Sequence, residues 1–201
     1  PNFVANTKEL VKIFRKNIHE YDELLSGNII FQNRTKNVGL LSKADAISLG
    51  TSGPVARASG VSCDVRKHYP YDAYDRVDFK EIIDEGGDCW ARYAVRIEEM
   101  HQSFHIIDQL IDTIPEGEFV GKTKAVIKLP KGEFYSKVET ARGELGVLLV
   151  SDGGSTPYRV KFRSPNFSNL SALGQMVKGG KIGDLVAVMS TLDLVIPDVD
   201  R

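Results

Sequence analysis

Residues 140–165 read TARGELGVLLVSDGGSTPYRVKFRSP, and three different folds compete for that stretch. A Gly-rich SDGGS with basic residues behind it can cradle phosphate, face a nucleic acid, or turn a hairpin. A phosphate loop needs GxxxxGK followed by Ser or Thr, a spacing that is missing, and SDGGS leads into no clear helix. Phe134–Val138, Leu145–Val150 and Tyr158–Phe162 instead read as strands separated by Gly-rich turns. SDGGS is therefore a turn in which glycine supplies positive φ. Arg159, Lys161 and Arg163 share one face of the last strand, a pattern most simply explained as a solvated sheet face.

Upstream of this sheet the period lengthens to that of a helix. In residues 7–27, Leu10, Val11, Ile13, Phe14, Ile18, Tyr21, Leu24 and Leu25 fall at three- and four-residue steps, with Gly27 as the stop. Ser42–Leu49 is a short helix capped by Ser42. The strongest signal lies in residues 87–114. Trp90, Tyr93, Ile97, Met100, Phe104, Ile107, Ile111 and Ile114 form a heptad-like seam, capped by Asp88 and closed by Pro115. A helix of about 27 residues would be about 40 Å long and act as the spine of a bundle. Residues 55–74 show no period and read as an ordered, charged loop. Downstream of the sheet, helices are predicted at 168–175 and 182–192. The tail LDLVIPDVDR is expected to be extended, because Pro197 disfavours helix. The fold class is α+β, a long-helix bundle with a small antiparallel sheet. Residues 1–131 are mainly helical with a charged loop at 53–79; residues 132–201 hold the hairpin region, the C-terminal helices and the tail.

Composition narrows the function. With 26 basic and 27 acidic residues among 201, the net charge of -1 argues against a general nucleic-acid binder. No apolar run approaches the roughly 20 residues of a membrane span. Cys63 and Cys89 are too few for a disulfide framework, form no CxxC pair, and are read as structural thiols in a reducing compartment. The chain begins at Pro1 and enters a helical pattern almost at once, so a piece of a longer protein is expected. His101 and His105 have the spacing of two ligands on one helix face but no accompanying HExxH, and read as solvated. Arg57, Asp64, Arg66, Lys67, Asp72, Asp75 and Arg76 crowd one Gly- and Tyr-rich loop. They read most simply as a surface ion-pair mesh, although loops of this kind on a rigid scaffold also host sites.

Several blocks in order carry a resemblance. GPVARASGVSCDVRK (53–67), PYDAYDRVDF (70–79), GDCWARYAVRIEEMHQS (87–103), GELGVLLVSDGGSTPYRVKFRSPNFSNLSAL (143–173) and LDLVIPDVDR (192–201) resemble the D-type subunit of NADH-quinone oxidoreductase, the quinone-site subunit of respiratory complex I. The match runs from about residue 28 to the C-terminus and departs from the family pattern at Ala56, Ala58 and His101. ETARGELG (139–146) is also similar to a block of the nickel-iron hydrogenase large subunit, to which the family is related. The hydrogenase tail holds metal through cysteines, and the matching tail here has none, which excludes a nickel-iron centre.

The resemblance implies the hydrogenase-like fold without its metal site. It also implies a peripheral-arm subunit, on the cytoplasmic face of a bacterial or archaeal cell membrane, that binds no cofactor itself. NAD and the iron-sulfur clusters belong to other subunits of complex I, and quinone is the substrate of the whole. Electrons come from a cluster on the neighbouring iron-sulfur subunit, and quinone reduction drives ion translocation in the membrane arm. The headgroup-contacting His and Tyr of the family lie in an N-terminal half that this chain is expected to lack. Asp193, Val195 and Arg201 match positions that line or support the quinone cavity, and Arg57, Asp64, Arg66 and Lys67 are candidate interface or support residues. Two alternatives stay open: the equivalent subunit of a related complex, fed by another donor or hydrogenase-like, and a non-redox interaction module.

Overall fold

In the computed structural model, which describes residues 2–118, 120–122 and 126–200, the chain opens with helix α1 (Phe3–Tyr21). It continues through a π-turn at Asp22–Ser26 and stops at Gly27, as the spacing predicted. Helix α2 (Ile29–Thr35) follows, capped by the Asn28 side chain, in a segment where the sequence raised no helix signal. Its Phe31 stacks edge-on against Tyr93 at 5.0 Å and lies 6.2 Å from the Trp90 ring. Helix α3 (Lys43–Ser48) has the expected Ser42 cap.

The charged loop is not structureless. It contains α4 (Gly53–Arg57) and α5 (Val65–His68), each about one turn long and so too short to print a period. Helix α6 (Cys89–Leu110) is the spine. Asp88 starts it by accepting from the Ala91 amide (2.8 Å), and the same carboxylate accepts from the Asn37 amide (2.7 Å). The helix ends four residues short of Ile114, with Thr113 bonded back to Leu110 in a closing turn.

The sheet follows the predicted order, with longer strands. β1 (Gly132–Thr140), β2 (Gly143–Ser151) and β3 (Arg159–Arg163) pair antiparallel in the order β1-β2-β3. The register places Thr140 opposite Gly143 and Val150 opposite Arg159. SDGGS lies in the β2–β3 turn, with Gly153 at φ 95°. The predicted helix at 168–175 is two shorter ones, α7 (Pro165–Leu170) and α8 (Leu173–Val177), and α9 spans Asp184–Leu192. The tail departs from expectation. Ile196–Val199 forms one helical turn, α10, with Pro197 in its first turn, where a missing amide costs nothing.

The main core is Leu41, Ala46, Val55, Cys89, Ala172, Met176, Val188 and Leu192, where α3, α4, α8 and α9 close on the start of α6. A second cluster, Val11, Ile18 and Phe104, joins α1 to the far half of α6. The spine thus meets the main core at its start and a second cluster, with α1, in its far half. No helix of the described residues is long and apolar enough to cross a membrane.

Candidate functional site

The middle of α6 borders a cavity of about 390 Å³ lined by Arg57, Arg66, Arg96, Glu99, Glu139 and Asp193, together with Met100, Ser103 and the β1–β2 turn. Helices α4, α5 and α6, strand β1 and the end of α9 converge to make it. Gly53 (φ 63°) lets the start of α4 sit directly on that turn, because a Cβ there would lie 2.5 Å from the Arg142 carbonyl oxygen. This places Arg57, the last residue of α4, beneath the cavity at 1% exposure. Its Nε donates to Glu99 Oε1 on α6 (2.6 Å), and its Nη1 donates to Glu139 Oε1 on β1 (2.8 Å). Burial works against the Arg57 charge, but Glu99 and Glu139 outweigh it and hold the guanidinium above its ordinary pKa. Glu139 answers differently: burial pushes its carboxyl up despite Arg57. Two carboxylates therefore share one cation.

Asp64 and Arg66 form the next pair. Asp64 caps α5 by accepting from the Arg66 amide (2.9 Å), and its carboxylate takes Arg66 Nη2 (2.7 Å) and Nε (3.0 Å). Burial opposes ionisation of Asp64, yet the Arg66 hydrogen bonds and charge prevail and hold its carboxyl below the usual range. Glu81 fixes the loop by accepting from the Cys63 (2.7 Å) and Asp64 (2.8 Å) amides. Lys67 points away, exposed, over the Phe79 ring at 4.1 Å.

Asp193 comes from the other side. It ends α9 in the left-handed region (φ 53°, ψ 51°), which Asp tolerates better than most residues, and this turns the chain into the tail. Arg142, in the β1–β2 turn, holds it there: Nε donates to the Asp193 carbonyl oxygen at 3.2 Å and lies 3.3 Å from the carboxylate. Behind the cavity, Arg92 is fully buried. It is satisfied by the Gly87 and Gly39 carbonyls (3.0 and 2.9 Å), Thr191 Oγ1 (3.1 Å) and Cys89 Sγ (3.3 Å). One turn on, Arg96 has a single hydrogen bond, from Nη1 to the Arg92 carbonyl oxygen (2.8 Å), and its buried Nε is unpartnered. Burial, partly offset by Asp193, lowers its pKa to about 10.

The structure thus brings Asp193, Arg57 and Arg66 to one cavity, with Asp64 directly behind Arg66. Val195 is half-buried but does not line it, and its carbonyl accepts the Asp198 and Val199 amides of α10. Arg201 lies outside the described residues. The expected surface mesh is only partly at the surface. Asp72, Asp75 and Arg76 are exposed, while Arg57 and Asp64 are buried, because α4 and α5 fold the loop inward onto α6 and β1. His101 and His105 are exposed, in keeping with the solvated reading rather than with the ligand spacing. Among the described residues, no three His, Cys, Asp or Glu side chains are grouped to hold a metal. Burial raises the Cys63 thiol to about 11, so it stays protonated. Arg96, Glu99 and Glu139 were missed by the sequence reading. Their signal on α6 was present: Arg92, Arg96, Glu99 and Ser103 each precede a seam residue by one position, a polar stripe beside the apolar one.

The protein-family model described as respiratory-chain NADH dehydrogenase, 49 kDa subunit, matches residues 1–128 and 119–201. The C/D-type NADH-quinone oxidoreductase subunit of Bacteroides thetaiotaomicron is 50% identical over 201 residues, covering all of this chain and 38% of that protein. A D-type subunit of the same enzyme from Solibacter usitatus is 46% identical over 199 residues, 99% of this chain and 54% of that one. The chain therefore spans about half the length of the curated D-type relatives it matches. Among solved structures, a chain of an archaeal respiratory membrane complex, the membrane-bound sulfane sulfur reductase, superposes with a TM-score of 0.93. It is 34% identical, over all of this chain and 56% of its own length.

Proposed function

The chain belongs to the respiratory-chain NADH dehydrogenase 49 kDa subunit family, and on that premise we propose that it forms one wall of the quinone-reduction cavity of an NADH:quinone oxidoreductase. The observation that carries the reading is the position of Asp193. A carboxylate from the tail block of the family meets, in one cavity, the buried Arg57–Glu99–Glu139 cluster of the spine and sheet. A half-open cavity with a few placed charges suits a substrate that gains electrons and protons at its oxygens. Glu139 is the group in the cluster best suited to hold a proton, since burial already favours its neutral form.

In this reading the chain binds no redox cofactor of its own. Electrons arrive from a cluster on a neighbouring subunit, the chain sits peripherally at the membrane, and quinone reduction drives ion translocation elsewhere in the complex. The kinship with the hydrogenase large subunit belongs to the same proposal. ETARGELG supplies Glu139 and the Arg142 turn at the cavity, in a chain whose tail carries no thiolate. Asp193→Asn in the intact complex tests the reading: quinone reductase activity falls while native gels show normal assembly. Wild-type kinetics with several quinones would refute it.

A second reading has one finding behind it, the likeness to the sulfane sulfur reductase chain. There the same scaffold would serve a complex with another acceptor. A purified complex that oxidises NADH with polysulfide but not with quinone would decide for it.

A further inference from the structure

The carboxylates at the cavity are already matched. Glu99 and Glu139 hold Arg57, Asp64 holds Arg66, and Asp193 holds Arg142. Arg92 is closed off by four acceptors of its own. Among the described residues, Arg96 alone lines the cavity with no ion pair, one hydrogen bond and an unpartnered buried Nε. A cation at such a site carries a desolvation cost that an acceptor from outside would offset. The surroundings limit what that acceptor is. A cationic ligand would meet Arg57, Arg66 and Arg96 together. A small anion would find no reason for the neighbouring groove lined by Phe14, Ile18, Tyr21 and Phe104, which shares Met100 and Ser103 with the cavity. An oxygen acceptor on an otherwise apolar body fits both spaces.

Resting on the function proposed above, we infer that Arg96 is a positioning residue for the quinone ring. Its guanidinium donates to a carbonyl oxygen, and the apolar part of the ligand leaves across Met100 toward the groove between α1 and α6. Arg92 and the Gly87, Gly39 and Thr191 acceptors hold the helix turn that presents it.

The test uses the assembled complex carrying Arg96→Met or Arg96→Lys, assayed for NADH-driven reduction of a short-chain quinone. A hydrophilic metal-complex acceptor, which draws electrons upstream of the cavity, is the control. Loss of a charge-assisted hydrogen bond predicts a KM for quinone raised roughly tenfold or more in Arg96→Met, with Arg96→Lys intermediate and the control rate unchanged. An unchanged KM in both variants overturns the inference. If Arg96→Met does not assemble, Arg96→Lys decides alone, a raised KM supporting the inference and a wild-type KM overturning it. Asp193→Asn separates the two levels. If it alters quinone kinetics while the Arg96 variants do not, only this inference fails. If none of the three does, the quinone reading fails with it.

Discussion

Replacing Arg57 with Met removes the cation between a buried carboxylate, Glu139, and a partly buried one, Glu99, while keeping most of the side-chain volume. The geometry leaves little room for solvent to compensate: Arg57 and Glu139 are 1% and 3% exposed and Glu99 17%, with contacts of 2.6 and 2.8 Å. Breaking a buried ion pair from one side costs about 3–5 kcal/mol, because the remaining charge is stranded. The loss is read as a lower midpoint of thermal inactivation of the assembled complex. The loss also has a pH signature. Burial already raises the Glu139 pKa in the folded chain, and losing Arg57 raises it further. A carboxyl whose folded pKa exceeds its unfolded value binds more protons when folded, so stability falls as pH rises through that window. The deficit of the variant against wild type is therefore largest at pH 7.5 and narrows toward pH 5. Adding Glu139→Gln should recover more than half of it at pH 7.5. The assay is thermal inactivation of the assembled complex at both pH values, with subunit content followed on native gels. A variant as stable as wild type at pH 7.5, or a deficit that does not narrow in acid, refutes the argument that the cluster is buried and coupled.

Two further substitutions probe the scaffold. Gly53→Ala combines a left-handed φ with a Cβ 2.5 Å from the Arg142 oxygen and the Gly143 Cα, whereas Gly50→Ala has a similar φ and open space around it. Gly50→Ala should cost only the left-handed penalty of about 1–2 kcal/mol and Gly53→Ala visibly more, read as a difference in thermal midpoint between the two variants. Asp88→Ala removes the α6 cap and strands the Asn37 amide. It should cost about 1–2 kcal/mol for the cap and about 1–3 kcal/mol for the stranded amide, with faster hydrogen exchange at Ala91 and Asn37.

Long elements were legible because their buried faces repeat. Six of the eight seam residues lie on the spine, and the strands ran between glycine turns, so α6 and the three-stranded sheet emerged from period alone. What failed was short. One turn of α4, α5 or α10 offers no second repeat, and Pro197 sits in a first turn, where proline does not oppose a helix. The site was less legible for a different reason. Arg57 meets Glu139 across 82 positions, and Arg142 meets Asp193 across 51, so no local pattern pairs them. Sequence could mark Arg57 and Asp64 as charges in a loop. It had no means of knowing that the loop folds under the spine, where the same charges become costly.

That cost separates scaffold from site. Buried ion pairs roughly break even against apolar groups of the same shape, so a cluster of them is weak evidence of a stability role. Arg92 and Arg96 stand one turn apart on the same helix, and the contrast between them is informative. Arg92 is enclosed by backbone carbonyls, a hydroxyl and a thiol, and ties the loop at Gly39 and helix α9 to the spine. Its bonds are complete, as those of a structural clasp should be. Arg96 lines the cavity beside the Arg57 cluster and Asp193 with one hydrogen bond and a buried Nε that has no partner. A chain selected only for packing would have an apolar residue there. The unfinished hydrogen bonding of Arg96, rather than the number of charges around it, is what singles out this cavity as the place where a ligand oxygen belongs.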